Sequence, residues 1–260
     1  MLTLYFSGTG NSRYVAKLFS KGIGAKAVSI EEEVDFGSMM LEHDVIAFCY
    51  PIYGSRVPLI MRQFVDRHMD KLKGKDVIIF VTQMMFSGDG ARVLTDLFPK
   101  GHIKVIYAEH FLMPNNIGNF PLFKAPSQVK VKKCIRRAKV KLRRICKDIN
   151  NGVIRKRGFN PVAKLLGKIQ GSSWQGDSSM ASTTKGSMER KAKDGVFISS
   201  ACTACGLCIK LCPMKNLDKQ DGIVIHKSNC TMCYRCVNHC PQKAITTFLH
   251  RKVKWQYSRL

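Results

Sequence analysis

From Met1 to about Met113, short apolar runs alternate with stretches whose apolar residues recur every three or four positions. That rhythm predicts parallel strands with helices on both faces of the sheet. Five strands are placed, at Leu2–Ser7, Ala25–Ile30, Asp44–Tyr50, Val77–Gln83 and Ile103–His110, several dominated by β-branched and aromatic residues. Asn11 is expected to cap the first helix, Pro58 to sit in the first turn of another, and Asp89 to cap a third through its side-chain oxygen. Ser127 to Asn150 reads as a long helix with Val131, Ile135, Ala138, Leu142, Ile145 and Ile149 on its apolar face and Gly152 as its stop. A shorter helical pattern covers Pro161 to Ile169. Gly171 to Ser187 is too poor in apolar residues to fold alone and reads as a linker. Short runs at Val196–Ile198, Ile223–Ile225 and Ala244–Phe248 predict small strands beyond it.

The chain repeats itself once: Cys202 to Pro213 and Cys230 to Pro241 both read CxxCxxCxxxCP, 28 residues apart. Three closely spaced thiolates can wrap three irons of one cube, while the fourth, carried away on the next turn, reaches a second cube. Structural zinc pairs two CxxC hooks across a longer gap and does not need the third cysteine of CxxCxxC. The pattern resembles that of bacterial two-cluster ferredoxins. That resemblance implies one [4Fe-4S] cluster on Cys202, Cys205, Cys208 and Cys240 and another on Cys230, Cys233, Cys236 and Cys212. Cys49, Cys134 and Cys146, at irregular spacing, are read as core residues.

The first strand runs into Ser7-Gly8-Thr9-Gly10-Asn11-Ser12 where a helix begins, so backbone N–H groups and the positive end of the helix converge there. This is a phosphate site, but it lacks the lysine of a P-loop and the third glycine or alanine of a dinucleotide fingerprint. The string Gly22-Ile23-Gly24 follows a helix rather than a strand and is a helix stop. Two more loops, Tyr50 to Gly54 and Gln83 to Gly90, lie at strand C-termini, where open α/β sheets bind ligands.

The first loop resembles that of flavodoxins, in which hydroxyls and backbone amides hold the FMN phosphate; Ser7, Thr9, Gly10, Asn11 and Ser12 match. The resemblance places the flavin ring between Pro51, Tyr53 and Gly54 on one side and Gln83, Met84, Phe86, Ser87, Gly88 and Asp89 on the other, with Tyr53 and Phe86 as stacking partners. The fold expected is a flavodoxin-like, doubly wound, five-stranded parallel sheet, plus a small α+β ferredoxin-like domain with two [4Fe-4S] clusters. Together they resemble the flavodoxin and ferredoxin fusions known as EFR-type ferredoxins, found mostly in anaerobes; Met113-Pro114-Asn115 also looks familial. Domains are expected at 1–152 (FMN-binding, ending in the long helix), 153–192 (a basic helical segment and linker) and 193–260 (the cluster domain and a basic tail). The loose linker leaves open whether the two modules dock against each other.

Composition narrows the partners. Lys and Arg outnumber Asp and Glu by 43 to 18, a formal charge of +25, and thirteen of the cations lie between Lys130 and Arg157 against the single acid Asp148. Acidic redox proteins are therefore the expected donors or acceptors. No nucleic-acid motif accompanies the basic helix, which ranks nucleic acid last; contact with a membrane surface is a further reading. No run of about 18 apolar residues and no export signal is visible, so a cytoplasmic protein is expected. The function expected is passage of single electrons between two [4Fe-4S] clusters and FMN. The alternatives are a flavin-dependent reductase of a small organic substrate, and a basic nucleic-acid or membrane-surface binder with structural clusters. No catalytic acid or base stands out.

Overall fold

A computed structural model describes residues 1–175, 191, 194–247 and 250–258. Its first half is a parallel sheet in the order β2-β1-β3-β4-β5-β6. The strands are β1 Leu2–Tyr5, β2 Lys26–Ser29, β3 Val45–Pro51, β4 Asp76–Gln83, β5 Lys104–Leu112 and β6 Arg155–Lys156. Helices α1 Asn11–Ile23, α2 Phe36–Leu41, α3 Leu59–Arg67, α4 Met69–Leu72 and α5 Gln128–Asn150 pack on its faces, with a 3₁₀ turn at Arg92–Leu97. Alternate strand residues feed two cores. Leu4, Ile46, Phe48, Ile79 and Val81 meet Phe36, Met61 and Phe64 on one face, while Tyr5, Cys49, Ile78, Phe80 and Tyr107 meet Phe19 and Leu142 on the other. Val77 to Val81 are all fully buried, as a central strand covered on both faces requires.

The sheet has six strands rather than five. The sixth is two exposed basic residues paired with Tyr107 and Ala108, and such a strand carries no apolar signal. Asn11 is the first residue of α1, not its cap; Gly10, at φ 93, occupies that place. Asp89 instead receives Arg92 and Val93 N–H on its backbone oxygen and pairs its carboxylate with Arg92 at 2.7 Å. Pro58 stands immediately before α3, and the α1 stop is Gly24 at φ 66. Ser127 caps α5 by accepting from Lys130 N–H. Ala138, Leu142, Ile145 and Cys146 of α5 are buried, and Val131 and Ile135 are half-buried. Its basic side is tied down where buried Glu109 faces Lys141, Arg144 and Arg157 at 3.2, 3.5 and 3.3 Å.

Helix α6, Pro161–Gln175, takes in the first residues of the expected linker; residues 176–187 lie outside the described ones. The C-terminal part is small: β7 Val196–Ile198 pairs with β10 Ile245–Thr247, β8 Leu217–Gln220 pairs with β9 Ile223–His226, and α7 Leu207–Leu211 and α8 Arg235–His239 follow the cysteine turns. The sequence repeat is also a conformational one. Ala204 and Met232, Gly206 and Tyr234, and Lys215 and Lys243 are pairs 28 residues apart, and all six have positive φ between 48° and 77°. Among the described residues no helix is long and apolar enough to cross a membrane.

Candidate functional site

The loops after β1, β3 and β4 and a fourth after β5 surround a half-open cavity of about 430 Å³, within the range of small-molecule and cofactor pockets. Of the residues singled out in the sequence, Ser7, Thr9, Asn11, Ser12, Pro51, Tyr53, Gly54, Gln83, Met84, Phe86 and Ser87 line it. Gly10 supplies the left-handed turn into α1, whereas Gly88 and Asp89 face Ala163 and Gly167 of α6. The helix also reaches the cavity rim, where Gln170 accepts from the Ser55 hydroxyl at 2.8 Å and donates to the Phe86 carbonyl at 3.5 Å.

The first loop is braced on every side. Gly10 N–H donates to Ser7 Oγ at 3.1 Å, and Ser12 Oγ meets Thr82 Oγ1 of β4 at 2.7 Å. Asn116 donates to Thr9 Oγ1 at 3.1 Å. The Asn11 amide donates to Pro114 O and accepts from Tyr257 Oη, both at 2.9 Å. Its amide oxygen thus ties the loop to the C-terminal tail.

His110, at the end of β5, holds the third loop in place by accepting Ala91 N–H on Nε2 at 3.1 Å. Burial lowers its pKa from 6.5 to about 4; Glu109 works against the shift, and Arg157 and Lys141 work with it. A histidine held neutral in the fold and free to charge when unfolded contributes stability that is complete above pH 6.5 and is lost as pH falls towards 4. Urea unfolding is expected to show about 2–3 kcal/mol lost between about pH 7 and about pH 4.5, with His110→Gln removing that part of the pH dependence.

The eight repeat cysteines line two hollows. Cys202, Cys205, Cys208 and Cys240 surround one, and Cys212, Cys230, Cys233 and Cys236 the other. Backbone amides point at sulfur with the same two-fold pattern: Ala204 N–H at Cys202 (3.4 Å) and Met232 N–H at Cys230 (3.3 Å), then Asn216 N–H at Cys212 and Ala244 N–H at Cys240, both 3.3 Å. Cys205 is exposed and Cys233 buried, so one hollow is outer and the other inner. Burial pushes the Cys233 thiol up to about 12, a cost that coordination as thiolate removes. Among the described residues no three His, Cys, Asp or Glu side chains are disposed to hold a single metal ion. Cys49 and Cys146 are buried in the sheet core and Cys134 is half-buried on α5.

The inner hollow abuts the cavity. Tyr234 lines both, Met232 lines the cavity, and a Cβ on Gly8 would run into the Cys233 carbonyl oxygen. Arg235 locks the contact: its guanidinium pairs both nitrogens with Glu31 at 2.7 Å and donates to Ser7 O at 2.8 Å and Gly8 O at 3.1 Å. The tail adds Trp255 Nε1 to Phe123 O at 3.0 Å, and Asn238 Nδ2 donates to Asn116 O at 2.8 Å. The two halves are therefore packed together, which the polar linker between them left open. Side-chain hydrogen bonds between residues 122 to 246 positions apart hold them, and these leave no trace in local composition.

Tyr53 is drawn into the same contact. Its hydroxyl is buried without a hydrogen-bond partner among the described residues, and burial followed by the Cys233 charge holds its pKa well above the ordinary value. Met85 and Phe86 stand at the mouth, 62% and 55% exposed. Sequence reasoning missed Asn116, Ile117, Phe120, Phe123, Gln170, Met232 and Tyr234 as lining residues. Only Tyr234 had a signal. It occupies the place of Gly206 in the other half of the repeat, and a tyrosine at φ 58 is a conformation that needs a reason.

No curated protein matches the chain. Among solved structures it is similar to a flavodoxin from the domain Archaea (17% identity, 56% of this chain and 97% of that one, TM-score 0.37). It is also similar to the two-electron reduced flavodoxin of Megasphaera elsdenii (21%, 54% and 99%, TM-score 0.38) and to an NADPH-quinone reductase from P. pentosaceus (15%, 56% and 96%, TM-score 0.39). Residues 2–121 match the model of the flavodoxin domain and residues 194–241 that of the 4Fe-4S dicluster domain. The chain thus joins a flavodoxin domain, whose cofactor is FMN, to a dicluster domain, whose cofactors are 4Fe-4S clusters.

Proposed function

We propose that this protein passes single electrons between two [4Fe-4S] clusters and FMN, as an EFR-type fusion with domains at 1–152, 153–192 and 193–260. The observation that carries the reading is the shared wall: Tyr234 lines both the cavity and the inner thiol hollow, and Gly8 of the first loop rests on Cys233. Clusters and flavin between them supply one-electron exchange and a centre that takes one or two electrons.

In this reading Cys202, Cys205, Cys208 and Cys240 hold the outer cluster and Cys212, Cys230, Cys233 and Cys236 the inner one. The four N–H groups aimed at sulfur stabilise thiolate charge there. The amides of the first turn of α1, with the Ser7, Thr9 and Ser12 hydroxyls, bind the phosphate; Tyr53 and Phe86 flank the ring; Arg235 and Glu31 keep the two halves in register. Exposed Cys205 marks the side on which an acidic redox protein would approach, since the chain is strongly cationic. The exposed mouth at Met85 and Phe86 supports a second reading, a flavin-dependent reductase that admits a small organic substrate.

Anaerobic purification is expected to yield about eight irons with matching sulfide per chain, and FMN. Zinc without sulfide would overturn the cluster assignment. Thr9→Leu combined with Asn11→Leu is expected to abolish flavin retention and leave iron content unchanged. Full flavin content in that variant would refute the phosphate loop.

A further inference from the structure

Helix α6 turns Ala163 and Gly167 towards the third loop. Its neighbouring face is a stripe of aliphatic residues held in solvent: Val162 is 67% exposed, Leu165 60%, Leu166 39% and Ile169 62%. Spacings of three and four make this one continuous strip along two turns. A soluble surface scatters such residues singly, and a strip of them marks an interaction site. The rest of the helix surface carries exposed Lys164 and Lys168, no acid occurs from Phe159 to Gln175, and exposed Arg155, Lys156 and Arg157 lead into it.

We infer that α6 docks the protein on the surface of an anionic lipid bilayer, with Val162, Leu165 and Leu166 in the acyl boundary and the lysines among the headgroups. The chemistry of the strip selects this occupant. Protein interface cores are enriched in aromatics, methionine and arginine and depleted of lysine, whereas this face is purely aliphatic and flanked by lysine, the make-up of helices that lie in a bilayer interface. The net charge of +25 adds attraction to anionic lipid. Because Gln170 on the same helix bonds Ser55 and the Phe86 carbonyl, docking would hold the cavity mouth close to the bilayer.

The test is co-sedimentation of the cofactor-loaded protein with vesicles of phosphatidylcholine alone and with vesicles in which a third of the lipid is phosphatidylglycerol. Binding is expected to the anionic vesicles, weakened by salt. Val162→Gln combined with Leu165→Gln is expected to lower the partition coefficient roughly a hundredfold, while FMN and iron contents stay unchanged because both side chains are exposed. Wild-type protein left in the supernatant with both vesicles would overturn the inference. So would a double variant that binds like wild type, which would assign the attraction to basic surfaces elsewhere. A wild-type dimer that the variant converts to monomer in ultracentrifugation would make the strip a contact between copies instead.

Discussion

Arg235→Met is expected to uncouple the two halves of the molecule while leaving each folded. The side chain is 10% exposed and makes two bonds to Glu31 at 2.7 Å, two to the carbonyls of Ser7 and Gly8, and one to Leu211 O at 3.1 Å. Methionine fills much of the volume but leaves the Glu31 carboxylate and two loop carbonyls without their donor. Removing one partner of a buried pair costs about 3–5 kcal/mol. Glu31, at 23% exposure, recovers some hydration, so about 3 kcal/mol is expected here. Urea unfolding should pass from one transition to two, and reduction of bound flavin by the reduced cluster half should slow in stopped-flow absorbance. Arg235→Lys keeps the charge but not the planar fork and should fall between. Unchanged unfolding and unchanged flavin reduction in Arg235→Met would show that this contact does not join the halves.

Gly8→Val carries the second large effect, and for a steric reason. The ideal Cβ at Gly8 overlaps the Cys233 carbonyl oxygen and lies 3.2 Å from both its carbonyl carbon and its Cβ. These are backbone and ligand-turn atoms that cannot swing aside as a side-chain tip could. Overpacking of this kind costs about 1–3 kcal/mol for small additions, and valine adds more than alanine. The first loop and the Cys233 turn must part, so FMN affinity and the rate of flavin reduction are expected to fall together. Gly24→Ala is the control. That glycine, at φ 66 and with open space around its Cβ position, ends α1 away from the contact. Alanine there strains the backbone by about 1 kcal/mol, lowering stability without altering flavin reduction. Flavin retention at the wild-type level in Gly8→Val would place FMN elsewhere.

The parts of the site that could be read from the chain share one property: their chemistry demands neighbours in sequence. Three of the thiols proposed for each cube lie on one short turn here, so CxxCxxC is visible as letters. A phosphate loop needs an apolar strand, then glycine and hydroxyls, then a helix, and Leu2 to Ser12 spells this out. The strand β4 was equally plain, because a run buried on both faces is apolar throughout. β6 is not, because Arg155 and Lys156 are exposed basic residues that pair at the sheet edge with Tyr107 and Ala108.

The residues that join the halves are of the opposite kind. Arg235 and Glu31, Asn11 and Tyr257, and Asn238 and Asn116 are single polar residues whose partners lie 122 to 246 positions away. Each has the same local appearance as a solvated surface residue. The helix α6 gave its existence through its pattern but not its place, since Gly167 and Gly88 become a close contact only when the loop after β4 is brought beneath it. The sequence by itself therefore determined which cofactors the two halves are built for, because ligand spacing and loop chemistry are local. Tertiary structure alone decided that the inner thiol set shares a wall with the flavodoxin-type cavity, because that depends on buried long-range hydrogen bonds and on a glycine small enough to let two backbones touch.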